Sequence, residues 1–383
     1  MKEVYISSDN IICSLGFNTK EVFENLKKNI SGIQLNSDRK YSQSDVPLSL
    51  INEAAFSKEC EKYKIDHSFT KLEKLLIISI SEAIHKSAID LSSPKTLFIV
   101  STTKGNIDLL GKHEEVRNDR LYLWETAATI QKYFKNPNLP IVVSNACISG
   151  VVAIVNGMRF LQTDKYENIV ICGGDIMTEF VISGFQSFKA ISSTICRPFD
   201  NSRDGISLGE GAGTIILSSN KQNLNGESNV KVIGGAVSND ANHISGPSRT
   251  GDGLHYSIKK SIEEAQIKES DIDHILAHGT ATPYNDEMEA KAFALANLLD
   301  VPTNSLKGFF GHTLGAAGII ESIIGVHSLK ENVMINTFGF ENLGVTENLN
   351  VINKLTYKPI NTILKTASGF GGCNASVIFT KET

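Results

Sequence analysis

The chain has 383 residues, enough to bury a substantial core and, on length, to form two domains or one large duplicated one. Its formal net charge of -5 and pI near 6.0 give no bulk basic field, which argues against binding a nucleic-acid backbone. No apolar run reaches membrane-spanning length, and the first nine residues lack the basic start and apolar stretch of a secretory signal, so the expected site is the cytoplasm, off the membrane. Six cysteines, at 13, 60, 147, 172, 196 and 373, are scattered without a Cys-x-x-Cys pair. They read as reduced thiols, with no structural metal.

In chain order, Val4 to Ile12 reads as a strand, Thr19 to Asn29 as a helix and the polar stretch Ser31 to Asp45 as a surface loop. Helical spacing of Leu72, Leu75, Leu76, Ile80, Ala83 and Ile84 precedes a buried strand at Thr96 to Val100, and 121–135 is expected to be helical. The short apolar run Ile141-Val142-Val143 then leads through Ser144-Asn145-Ala146 to Cys147 and into a run that is apolar on nearly every face down to Leu161. This predicts a buried strand, a tight turn and a central helix, with Cys147 in its first turn. Free amides and the positive helix end favour a thiolate at such a position. A strand at Asn168 to Cys172 follows, then Cys196-Arg197-Pro198-Phe199-Asp200 and a Gly-rich strand through Gly209 to Leu217.

The plan then repeats. A helix at Gly253 to Ile267 is followed by a strand ending in His278-Gly279-Thr280, by another helix, by Gly311-His312-Thr313-Leu314-Gly315 opening a long apolar helix, and by a Gly-rich closing strand from Gly369 to Phe379. Two similar α/β halves, 1–225 and 226–383, related by a pseudo-two-fold axis, are expected from this. The turn bearing His312 becomes the counterpart of the turn bearing Cys147, and His278 falls at the sheet end where α/β proteins bind ligands. Each residue alone has a plain structural alternative. Cys147 can be a small buried hydrophobe, His278 a satisfied core histidine, His312 a helix cap and Lys307 a surface lysine.

Taken together, Asn145-Ala146-Cys147-Ile148-Ser149-Gly150, His278-Gly279-Thr280-Ala281-Thr282-Pro283, Lys307 to Gly318 and Gly369-Phe370-Gly371-Gly372 closely resemble the β-ketoacyl-acyl-carrier-protein synthases, in order and spacing, from about Tyr5 to Phe379. The resemblance implies a thiolase-like fold layered α/β/α/β/α and a Cys-His-His decarboxylating condensation without a cofactor. Cys147 would carry an acyl group from an acyl carrier protein. His278 and His312 would hydrogen-bond the enolate left when a malonyl thioester loses carbon dioxide, as two preorganised donors suit developing charge. The resemblance further pairs Lys307 with Glu321 beside His312, assigns Thr280 and Thr282 to the pantetheine arm, makes the amides of Cys147 and Phe370 the oxyanion hole, and puts Phe370 and Gly371 among the substrate-binding residues; the glycines around Phe370 also let its loop swing, so its ring is expected to act as a gate. The resemblance also implies a homodimer.

Two departures from the family pattern bear on the acyl pocket and its gate. Asn145 stands where threonine or tyrosine is common, and Ser368 where many members carry a second phenylalanine. The chain is also somewhat shorter than is usual. A cysteine hydrolase is disfavoured because the Cys147 turn lacks a Gly-x-nucleophile-x-Gly elbow. A chain-length-factor-like partner subunit is disfavoured because all three reactive residues are present. Fatty-acid and specialised polyene or polyketide synthesis both stay open.

Overall fold

Two runs of the chain fold to the same plan in the computed structural model, which describes residues 2–110, 118–224, 230–243 and 246–382. The first run comprises β1 (Tyr5–Ile12), α1 (Thr19–Lys27), β2 (Gln34–Asn36), β3 (Val46–Ser49), α2 (Glu53–Lys62), α3 (Lys71–Ile84), β4 (Thr96–Ser101), α4 (Leu123–Tyr133), β5 (Ile141–Val143), α5 (Ser149–Gln162), β6 (Asn168–Asp175), α6 (Glu179–Ser187), β7 (Leu208–Gly209) and β8 (Gly211–Ser218). The second comprises β9 (Val230–Asn239), α7 (Asp252–Ala265), β10 (His274–Leu276), α8 (Pro283–Leu295), β11 (Thr303–Asn304), α9 (Lys307–Phe310), α10 (Ala317–Glu331), β12 (Val333–Met334), β13 (Thr356–Tyr357), β14 (Thr362–Gly369) and β15 (Cys373–Lys381). The expected boundary between 225 and 226 lies outside the described residues.

The repeat is written in the sheet. Reading outward from the middle, one arm runs β1-β8-β6-β4-β5 and the other β9-β15-β14-β10-β11. In both arms the first two pairings are antiparallel and the last two parallel. The arms join where Tyr5 on β1 faces Lys231 on β9. Between them lie α5 and α10, which pack on each other and on strands of both arms. Both helices are buried along most of their length, as sequences apolar all round must be. α3 covers the outside of one arm, and α7 covers the outside of the other. The α3 start is fixed by a capping box in which Thr70 and Glu73 exchange hydrogen bonds.

At the centre the two buried helices touch through glycine. A β-carbon on Gly150 would fall 2.7 Å from the Ile319 amide nitrogen, and one on Gly318 would fall 2.5 Å from that of Val151. Only hydrogen fits at either place. This contact brings the turns ahead of α5 and α10, carrying Cys147 and His312, to the same spot.

Two local expectations are corrected. The stretch Ser31 to Asp45 is not all loop: β2 pairs with β3, and β3 with β7, in a small sheet of its own. The run Ile141 to Val143 is not a buried strand, because β5 pairs only with β4 at the edge, leaving Ile141 and Val142 half-buried. Length and apolarity do not tell a central strand from one waiting at an edge.

Candidate active site

Cys147 sits on a strained turn. Ala146, just before it, adopts φ 43°, a left-handed conformation that costs a non-glycine residue ~1 kcal/mol or more. Ser149 holds the turn closed: its hydroxyl donates to the Ala146 carbonyl (2.6 Å) and accepts from the Asn145 amide (2.8 Å). The thiol is buried, with 8% of the residue exposed.

The histidines arrive from the other half. His278 follows β10, and its amide donates to Glu289 Oε1 (2.8 Å) while the next amide, Gly279, donates to Oε2 (2.6 Å). His312 is held by its backbone, its amide donating to Ser207 O (2.8 Å) and its carbonyl accepting from Gly209 (3.1 Å). The two rings meet edge to face with centroids 5.3 Å apart. One ligand-type atom each from Cys147, His278 and His312 all lie within 4.8 Å of one another. Both ring nitrogens of His312 are buried without a hydrogen-bond partner among the described residues. In a neutral ring one of them is a donor and the other an acceptor, and an unsatisfied buried donor in a cleft is what a ligand oxygen would complete.

Lys307 and Glu321 form the expected pair, Nζ to Oε1 2.7 Å, both fully buried. The pair lies against His278, with Lys307 Nζ 3.4 Å from Nδ1, and makes no hydrogen bond to the His312 ring. An ammonium only donates, so His278 Nδ1 accepts and the ring proton belongs on Nε2. Sequence reasoning missed a third member: Lys365 Nζ is 2.7 Å from Glu321 Oε2. A lysine in the otherwise uncharged strand Thr362 to Gly369 was the available signal.

Electrostatics correct one expectation. Burial pushes the Cys147 thiol up to about 12, the Cys373 thiol adds to that, and Lys307 and Lys104 oppose it without prevailing. A helix start therefore does not by itself yield a thiolate here, because removal from water outweighs nearby positive charge. Burial first, then Lys307 and Lys365, holds both histidines well below their ordinary range, with His312 adding to the effect on His278. The site at rest holds a thiol and two neutral imidazoles.

A cleft of about 510 Å³ opens onto Cys147, His278 and His312. Thr280 and Thr282 line it, their hydroxyls 2.8 Å apart. Phe370 lines it too, its ring 5.6 Å from that of Phe185 and 5.2 Å from that of Phe188. These two aromatics from the α6 region also went unnoticed in the sequence. Gly371 stands at the exposed apex of the β14–β15 turn, away from the cleft wall, its carbonyl accepting from Asn239 Nδ2 (2.9 Å). Ser368 lines the cleft and donates to Asn374 Oδ1 (2.8 Å), whereas Asn145 is exposed and off the wall. A β-carbon on Gly369 would come 3.1 Å from the Cys147 amide, so the Phe370 turn presses directly on the nucleophile turn.

The chain belongs to the beta-ketoacyl synthase family, condensing enzymes of thiolase-like fold: the model of its N-terminal domain matches residues 1–223 and that of its C-terminal domain residues 230–341. Among curated proteins it is similar to the putative mitochondrial 3-oxoacyl-[acyl-carrier-protein] synthase of Schizosaccharomyces pombe, 28% identical with 100% of this chain and 99% of that one covered. It is 33% identical to a 3-oxoacyl-[acyl-carrier-protein] synthase homolog of Saccharomyces cerevisiae, over 67% of this chain and only 62% of the relative. Among solved structures, the ishigamide ketosynthase/chain length factor superposes with a TM-score of 0.90 at 22% identity, covering 99% of both chains, a likeness of fold. No helix among the described residues is long and apolar enough to cross a membrane.

Proposed function

We propose that the chain is a 3-oxoacyl-[acyl-carrier-protein] synthase that works through Cys147, His278 and His312. The observation that carries this is the meeting of one buried thiol and two buried imidazoles, one reactive atom of each within 4.8 Å of the others, on the wall of one cleft. In the first step the Cys147 sulfur attacks an acyl thioester of the carrier protein, forming acyl-S-Cys147 and releasing the carrier thiol. A neutral imidazole has a free ring nitrogen to take the thiol proton as the C–S bond forms, and it passes that proton to the departing carrier sulfur. In the second, the C–C bond to the malonyl carboxylate breaks, carbon dioxide leaves, and the electron pair becomes an enolate whose oxygen accepts from His278 Nε2–H and from His312. The enolate carbon then attacks the acyl carbonyl, whose oxygen faces the Cys147 and Phe370 amides. Collapse of that intermediate breaks the C–S bond, and the Cys147 thiolate takes up one proton from solvent, the proton that the overall condensation consumes.

The test is incubation with a panel of acyl carrier thioesters followed by malonyl carrier protein. Intact-mass analysis is expected to show one acyl group on Cys147, then a 3-oxoacyl carrier product. Carrier protein left unchanged throughout the panel would overturn the assignment.

A homodimer is part of this reading. β5 leaves one sheet edge open; Leu139, just ahead of it in the chain, is 87% exposed, and on α4, which packs on β5, Trp124 is 57% exposed and stacks on Tyr122. An open edge beside exposed apolar side chains suits pairing with a second copy. Light scattering at micromolar concentration is expected to give twice the chain mass. A fully active monomer would contradict it.

Phe370 is expected to gate the cleft. Two aromatic contacts at ~0.5–1.5 kcal/mol each hold its ring against the cleft wall, so Phe370→Ala removes ~1–3 kcal/mol of restraint and keeps the backbone amide. Short- and long-chain acyl transfer rates are expected to converge in Phe370→Ala, with malonyl decarboxylation retained in part. Unaltered selectivity would rule the gate out.

A further inference from the structure

Lys365 is a fully buried lysine that none of the steps above employs. It lies on β14 opposite Leu276 of β10, the strand that delivers His278. Its Nζ meets Glu321 Oε2 (2.7 Å) and the carbonyls of Thr366 (2.6 Å), Ala277 (3.2 Å) and Leu276 (3.3 Å). Glu321 is thus shared by two ammoniums, Lys365 on one oxygen and Lys307 on the other. A second carboxylate, Glu289 on α8, receives the amides of His278 and Gly279 and the Thr366 hydroxyl (3.1 Å). Two buried lysines and two buried carboxyl groups therefore surround the base of His278, and at Glu289 burial raises the carboxyl while the His278 and Gly279 amides, Lys365 and Lys307 oppose that rise.

We propose that Lys365 is a positioning residue that closes this charge balance and so keeps His278 and His312 as neutral imidazoles, acting through Glu321 and Lys307. The physical case is the cost of an unmatched buried charge. Take away the Lys365 charge, and one carboxylate is left without a counterpart beside two buried rings. Protonating an imidazole is then the nearest way to neutralise it. Burial pulls the Lys365 ammonium down and Glu321 opposes that pull; burial raises Glu321, and the two lysines more than reverse it, holding its carboxyl low. The other groups facing the rings are fewer. Asp286, pushed up to about 7 by burial, binds the amides of Thr280, Ala281 and Phe199, while Cys147 faces them directly. Lys189, Asp204, Asp240 and His243 line the same cleft.

The inference rests on the proposed role of the histidines, so its test uses readouts that need no condensation. In full-length Lys365→Met and Lys365→Gln, imidazole titration by NMR is expected to place the midpoint of His278 or His312 higher than in the wild type by about one pH unit or more. The acid limb of Cys147 alkylation by iodoacetamide is expected to move the same way. The double variant Lys365→Met/Glu289→Gln restores equal numbers of charges and is expected to return both midpoints toward the wild type. It also carries the test where the single variants do not fold. Folded single variants with unmoved midpoints, or a double variant no closer to wild type than Lys365→Met, would reduce Lys365 to a brace between β10 and β14. A titration shift in the variants, found where the wild-type protein condenses no substrate, would instead keep this inference and overturn the proposed reaction.

Discussion

Cys147→Ala is expected to lower condensation on the order of 10⁴-fold or more, since the covalent acyl intermediate has no other seat. The other buried thiols do not offer one. Burial pushes Cys13 and Cys172 up to about 12 and Cys196 to about 11, none of them lining the cleft. Cys373 is nearest in kind, but it lies behind Gly369, its Sγ 3.3 Å from the Phe370 carbonyl, and burial pushes it up to about 11. Intact-mass analysis of the alanine variant is expected to show no acyl adduct. An adduct on Cys373 with normal turnover would move the nucleophile by one strand.

His278→Ala and His312→Ala are each expected to slow carbon dioxide release from malonyl carrier protein roughly 100-fold, the effect of ~3 kcal/mol for a lost oxyanion donor. The two donors address one oxygen, so the double variant should fall short of the product of the single effects. Acylation of Cys147 separates the roles further, because only the imidazole that takes the thiol proton affects that step. A histidine whose removal slows acylation and decarboxylation alike serves twice. Unchanged carbon dioxide release in both variants would remove the pair from the enolate step.

Much of this arrangement could be read from the chain. The alternation of strand and helix, its recurrence in the second half and the turns bearing Cys147 and His312 are encoded in local pattern, and the ten-stranded sheet follows that pattern. What the pattern hid was environment. β5 is as apolar as a central strand, and only the sheet order shows that it stands at an edge. The thiol's protonation depended on burial against positive charge, a contest that periodicity does not weigh. Lys365 and Phe188 escaped notice because their partners, Glu321 and Phe370, are 44 and 182 positions away (365 − 321 and 370 − 188).

The glycine contact between α5 and α10 gives the site a ruler made of missing atoms. The nucleophile belongs to one half and the proton-handling rings to the other, so their separation is the spacing of two backbones at Gly150 and Gly318. Any side chain at either position must push the helices apart, at ~1–3 kcal/mol for the packing. Catalysis should register that displacement more sharply than stability does, because a misplacement of about 1 Å can cost on the order of 100-fold in rate. A folded protein carrying Gly318→Ala would then have both sets of reactive groups, each intact in its own half, and hold them out of reach of each other.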